Sequence, residues 1–208
     1  MEDYPMLEDI IINRANELIP ILNKMGKRGS LLMVLFALER QWQLFLKEIK
    51  GKTEYEDLCN SAKECKDILW EHFFNLNKHH LSRNINRYLE LTEKFESLEF
   101  GIDVYYSRPL IENLMQADFL LNETEGVGDT RDCAYMILSP LEVIFNYCVD
   151  TIKGQLSDAA FIKILEDDSR VISELNRVNN DMLLASNLSY DIDTIIGLRH
   201  SYQELKLI

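Results

Sequence analysis

The chain has 208 residues, 35 acids against 22 Lys and Arg, a formal net charge of −13, and 47% hydrophobic residues with only 4 Pro and 8 Gly. That is a globular composition, large enough to bury a substantial core and poor in turn-formers, which suits long helices joined by few loops. Such an acidic field repels nucleic acid and anionic lipid and attracts basic proteins, so neither DNA, RNA nor a membrane surface is expected among its partners.

Apolar residues recur at helical spacing almost throughout, and alternating strand-like runs are scarce. The opening MEDYPMLEDIII lacks the basic stretch of a secretory leader. A first helix is expected over 3–25, with Ile10, Ile11, Leu18, Ile21 and Leu22 on its apolar side and a kink at Pro20. NKMGKRGS (23–30) reads as a connector, with Gly26 and Gly29 as stops and Ser30 as the next cap. The helix that follows, 31–50, is apolar nearly all round in its first two turns, which marks a central core helix. Its run SLLMVLFAL is too short to span a bilayer and meets Glu39-Arg40, so a cytoplasmic protein is expected.

Thr53 and Glu56 form a capping-box pattern for a helix reaching about 76 through Leu58, Ile68, Leu69, Trp70 and Phe73. NLNKHHLSRN is a basic connector, and Ser82 is placed to cap a helix over 83–98. FGIDVYYSRPL (100–110) reads as irregular or briefly extended, and Pro109 suits the first turn of a helix over 110–121. After NETEGVGDTRD (122–132), a helix over 131–153 is expected to be capped by Asp129 or Thr130, bent at Pro140 and stopped at Gly154. Two further helices follow, over about 158–185 from a cap at Ser157 or Asp158, and over 190–206. Connectors are short and no Pro-, Gly- or Ser-rich linker divides the chain, so residues 1–208 are expected to form one all-α domain of about eight helices.

Little in this pattern looks like catalysis. Cys59, Cys65, Cys133 and Cys148 form no CxxC pair and fall in helical stretches, which suits small buried hydrophobes. None of His72, His79, His80 and His200 stands three residues after a Glu, as a di-iron helix bundle requires. No G-x-S-x-G elbow is present. Glu90, Glu93, Glu96 and Glu99, spaced by three, drift around the helix and read as a solvated stripe. Lys78, His79, His80, Arg83 and Arg87 read as solvated or internally paired cations. Trp42, Trp70, Phe73 and Phe74 are assigned to the core, which is also slightly favoured for Tyr105 and Tyr106. We expect no catalytic residues, no cofactor and no metal site.

The Gly-Val-Gly of 122–132 invites comparison with phosphate loops, yet a helix precedes it and four acids would repel phosphate. Counted as a calcium loop, its ligand positions also fail. It is therefore either a plain connector or part of an acidic protein-binding element. The charge distribution keeps the second option open: residues 101–169 hold 13 acids against 4 bases. Candidate partner-binding residues are Glu123, Glu125, Asp129, Asp132, Glu166, Asp167 and Asp168, with Tyr105 and Tyr106 as aromatic anchors.

The segments Leu183-Leu184-Ala185, Asp191-Ile192 and Gly197-Leu198-Arg199, together with ALER (37–40) and ILWE (68–71), resemble the YjaG-like proteins, an all-helical bacterial family of unknown function. The resemblance spans most of the chain and implies a fold rather than an active site. The acidic 122–132 and basic 78–87 segments depart from the family pattern. By type, small acidic helical proteins of this kind resemble immunity proteins, which neutralise basic nuclease toxins by direct binding. That is the expected function. The rivals are a helical enzyme or small-ligand regulator with a pocket assembled from distant residues, or a structural subunit; the sequence leaves the oligomeric state open.

Overall fold

The apolar run that starts at Leu31 becomes the axis of the molecule. In the computed structural model, which describes residues 5–74, 81–96, 105–121, 130–152, 158–186, 192–205 and 207–208, every residue from Gly29 to Trp42 is buried. A helix buried on all sides needs neighbours on all sides. Helix α1 (Pro5–Ile49) is accordingly surrounded by α2 (Glu56–Phe74), α4 (Arg108–Gln116), α5 (Thr130–Ile152), α7 (Ser169–Ser186) and α8 (Ile192–Gln203), with α5 its most extensive partner. Helix α3 (Leu81–Glu96) lies on α2, and α6 (Asp158–Asp167) on α7. All regular structure among the described residues is helical, as composition and periodicity led us to expect. No helix among them is long and apolar enough to cross a membrane. One apolar cluster, reaching from Ala15 to Leu207, draws on most of these elements.

Three boundaries differ from the sequence reading, each for a local reason. The expected connector 23–30 shrinks to a single break at Gly26, whose φ of 70° and ψ of 179° suit glycine alone. Pro20 stays within the helix, and Ser30, expected as a cap, turns its hydroxyl back to donate to the Gly26 carbonyl at 3.2 Å. In place of the expected capping box, Thr53 begins a short 3₁₀ turn, Thr53–Tyr55, that follows Lys52 with no side-chain cap bond, and α2 begins at Glu56. The single helix expected over 158–185 is two, because Asp168 interrupts it and caps the second. Pro109 does occupy the first turn of α4, and a 3₁₀ segment, Ala117–Leu121, completes the expected 110–121 helix.

Trp70 anchors the core aromatics, with edge-on contacts to Phe36 (6.1 Å) and Phe73 (6.0 Å). Phe74 departs from its expected core role. It stacks on Trp70 at 5.6 Å yet remains 37% exposed, since it is the last residue of α2. All four cysteines are free; Cys65, Cys133 and Cys148 are buried and Cys59 half-buried. Burial pushes the Cys65 thiol up to about 12, which keeps it protonated and inert.

The centre of this core is charged. Glu39 and Arg40 are adjacent on α1, both fully buried, and about 100° apart around the helix, so they serve different neighbours. Glu39 accepts from Lys66 Nζ (2.6 Å) and Trp70 Nε1 (2.8 Å) of α2, and from Arg199 Nε (3.0 Å) and Gln203 Nε2 (3.1 Å) of α8. Arg40 pairs with Glu174 (2.7 Å) and Asp181 of α7, and Tyr202 of α8 donates to the same Asp181. Burial works against the Arg40 charge, but Glu174 and Asp181 outweigh it and hold the guanidinium protonated. For Lys66 burial prevails, and its pKa falls despite Glu39. Two consecutive side chains thereby join α1 to α2, α7 and α8.

Candidate partner-binding surface

The tyrosine pair lies at the far end of this frame, where α1 and α5 terminate together. Tyr105–Ser107 form a turn that leads into α4. Its backbone is fixed by Glu48, near the end of α1, whose two carboxylate oxygens accept the N–H groups of Tyr106 (3.0 Å) and Ser107 (2.8 Å). Tyr105 is 48% exposed and Tyr106 half-buried, so the core assignment fails for Tyr105. The Tyr105 and Tyr106 rings meet edge-on at 5.1 Å, and Tyr106 lies 5.7 Å from Tyr147 of α5. Three rings thus form a row.

Carboxylates flank the row. Tyr106 donates its hydroxyl to Asp150, in the last turn of α5, at 2.8 Å. Burial, and then this bond and the Asp150 charge, push the Tyr106 phenol up to about 12, so it remains a donor at every physiological pH. On the other side, the Arg170 guanidinium lies 5.1 Å over the Tyr147 ring and reaches Cys148 Sγ at 3.2 Å. Asp168 grips Arg170 through two bonds, Nε to Oδ1 at 3.0 Å and Nη2 to Oδ2 at 2.6 Å. Glu166 and Asp167, the last residues of α6, are exposed immediately before it.

The structure therefore brings together Tyr105, Tyr106, Asp168 and, next to them in the chain, Glu166 and Asp167. Asp168 differs in role from its neighbours. Its Oδ1 accepts the Arg170 backbone N–H at 2.8 Å, the bond of a helix N-cap, and only 12% of its side chain is exposed. Asp168 organises α7 and Arg170 rather than presenting a free charge. Asp132 is exposed in the first turn of α5, so at 1.5 Å per residue it stands roughly 27 Å from Asp150 at the other end. Glu123, Glu125 and Asp129 lie outside the described residues. Tyr147, Asp150, Arg170 and Glu48 escaped the sequence reading. Tyr147 and Asp150, three apart at a helix end, left a readable signal; Glu48 left none.

Hydrogen bonds from the Arg170 side chain and backbone draw the Asp168 pKa down to about 2. A carboxylate whose folded pKa is depressed stabilises the fold above its unfolded pKa and loses that contribution as pH falls towards the folded value. Asp168→Asn, which keeps the cap shape and drops the charge, is expected to lower stability by about 2 kcal/mol at pH 7. Urea unfolding at a series of pH values should show this gap closing between roughly pH 4 and pH 2; a gap independent of pH would refute the pairing.

Elsewhere the charges have plain partners. Arg87 bridges to Glu64 at 2.7 and 2.8 Å and to Glu90 at 3.3 Å, the internal pairing expected of the basic stretch, whereas Lys78, His79 and His80 lie outside the described residues. An open groove of about 500 Å³ beside this pair is lined by Asn60, Lys63, Glu64, Asp67, Ile68, Glu71 and Arg87. Among the described residues, no three His, Cys, Asp or Glu side chains gather as a metal site would require.

No family model matches the chain, and no curated protein matches it in sequence. In three dimensions it is similar to the crystal structure of a DUF416 family protein from Shewanella baltica OS155, with a TM-score of 0.58 over 91% of this chain and 93% of that one. Sequence identity is 15%. The likeness is one of fold. It covers most of the chain rather than one motif, and at this identity it speaks for the fold and not for the tyrosine row.

Proposed function

We propose that this protein is a non-catalytic binding protein that engages a basic protein partner, acting in the cytoplasm as an immunity protein against a nuclease-type toxin. The observation that carries the reading is the tyrosine row, with Asp150 bound to its middle ring and exposed carboxylates next in the chain to Asp168. Among the described residues Glu166 and Asp167 are exposed, and Asp150 makes a single hydrogen bond, to Tyr106. Exposed tyrosines supply contact area at little entropic cost, and rim acids steer a cationic partner. The resemblance to the YjaG-like proteins belongs to the same proposal; of the segments that carry it in sequence, ALER (37–40), ILWE (68–71) and Gly197-Leu198-Arg199 also supply buried contacts between helices.

The test is kinetic. A basic toxin domain encoded beside this gene, or the basic protein recovered with this chain from its host, is mixed with wild type and with Glu166→Lys/Asp167→Lys at low and moderate salt. Association with wild type should slow with salt. The reversed-charge variant should associate about tenfold more slowly at low salt, with a flatter salt dependence. Unchanged rates and unchanged affinity would remove these residues from the interface. The open groove between α2 and α3 supports a second reading, a small-ligand regulator; binding of a charged metabolite blocked by Lys63→Ala, with no protein partner found, would favour it.

A further inference from the structure

Arg170 shows how this surface holds a guanidinium: a tyrosine face beneath it and a carboxylate at its edge. Tyr147 is the occupied step of the row, and Tyr105, two rings away and 48% exposed, is the open one. Tyr106 stands between them. Its hydroxyl donates to Asp150, so an exposed carboxylate is held beside Tyr106, the ring that adjoins Tyr105, and Asp150 Oδ1 accepts no hydrogen bond among the described residues. The Glu48 clamp on the Tyr106 and Ser107 backbone fixes the turn that carries Tyr105, so the open ring is presented on an ordered backbone.

From this repetition we infer that Tyr105 is the docking face for an arginine side chain of the partner, with Asp150 supplying the neighbouring negative charge. The inference rests on the reading that the surface binds a basic protein, and it names what that protein must present. Arginine is selected over lysine because a planar, weakly hydrated guanidinium stacks on an aromatic face, whereas an ammonium acts as a compact point charge that keeps its water. Bulk acidity alone would draw either cation equally. The partner's contact segment should accordingly be arginine-bearing, and its arginine would occupy at Tyr105 the position that Arg170 takes at Tyr147.

The probes are nona-arginine and nona-lysine peptides, titrated calorimetrically into the full chain at low salt. The expected result is that nona-arginine binds about threefold tighter or more, given the size of an exposed cation–π contact. Tyr105→Ala should remove that preference while leaving nona-lysine binding unchanged, and Tyr105→Phe, which keeps the ring, should retain it. Equal binding of the two peptides, or a preference that survives Tyr105→Ala, would overturn the arginine assignment while leaving a basic partner standing. Binding of neither peptide would count against the basic-partner reading and against this inference with it. Thermal melts of the variants, expected to match wild type because Tyr105 is half exposed, separate these outcomes from misfolding.

Discussion

Arg40→Met should destabilise the fold by about 3–5 kcal/mol, the cost of leaving one side of a buried ion pair without its partner. Arg40 is fully buried, and its guanidinium is the shared counter-ion of Glu174 and Asp181, themselves within the core of α7. With the cation gone, two carboxylates are left in a dry interior, and Arg177, 3.3 Å from Glu174, remains half-buried at the edge. Burial already raises the Asp181 pKa with Arg40 present, so the variant should take up protons and recover part of its stability as pH falls below neutral. Chemical denaturation followed by circular dichroism measures both effects. The triple replacement Arg40→Met/Glu174→Leu/Asp181→Leu is the control: it should be far closer to wild type than the single variant, because an apolar set removes the unpaired charges along with the pair. A single variant as stable as wild type at pH 7 would show that the ion pairs do not hold α7 in place.

Glu39→Gln should be the second large effect, about 3 kcal/mol, with the opposite dependence on pH. The amide keeps the shape and can still accept from Trp70, but it no longer neutralises Lys66 or Arg199. Lys66 has its pKa lowered by burial even beside Glu39, and without that carboxylate the lowering deepens. A lysine with a depressed folded pKa binds fewer protons folded than unfolded, so stability is lost below the folded value and regained as pH rises towards the unfolded one near 10.4. The loss in Glu39→Gln should therefore shrink as pH rises towards the unfolded lysine value, whereas that in Arg40→Met shrinks towards acid. Hydrogen exchange should also show α8 opening first, since Arg199 and Gln203 reach the core through Glu39, and Ile195 and Tyr202 are the buried side chains of that helix. Equal pH profiles for the two variants would contradict the division of roles between these neighbours.

Helical periodicity made the elements legible, and an apolar surface on all sides of 31–38 was enough to mark the central helix. Boundaries were less legible, because a break depends on single-residue geometry. Gly26 with positive φ and Asp168 as a mid-run cap each outweigh the pattern around them. The tyrosine surface was half visible. Tyr105 and Tyr106 stand out in an irregular segment, and Asp168 belongs to an acidic run, but nothing local joins them to Tyr147, Asp150 and Arg170, which are brought to them from other helices. The acid set also had to be divided: Asp132 stands at the opposite end of α5 from Asp150, the unpredicted carboxylate that meets Tyr106, a separation set by helical rise that a charge count cannot register.

By itself the sequence determined the secondary-structure class, the buried axis and the excess of negative charge, because these follow from short-range periodicity and composition. The tertiary structure alone decided which charges face water. Glu39 and Arg40 look in sequence like the polar end of an apolar run, and they become fully buried because their partners, Lys66, Arg199, Glu174 and Asp181, arrive from α2, α7 and α8, up to 160 residues away. A charge is stable in the interior only where opposite charge and donors converge on it, and that convergence is a property of packing rather than of any one segment. The same rule leaves Glu166 and Asp167 exposed to water at the end of α6.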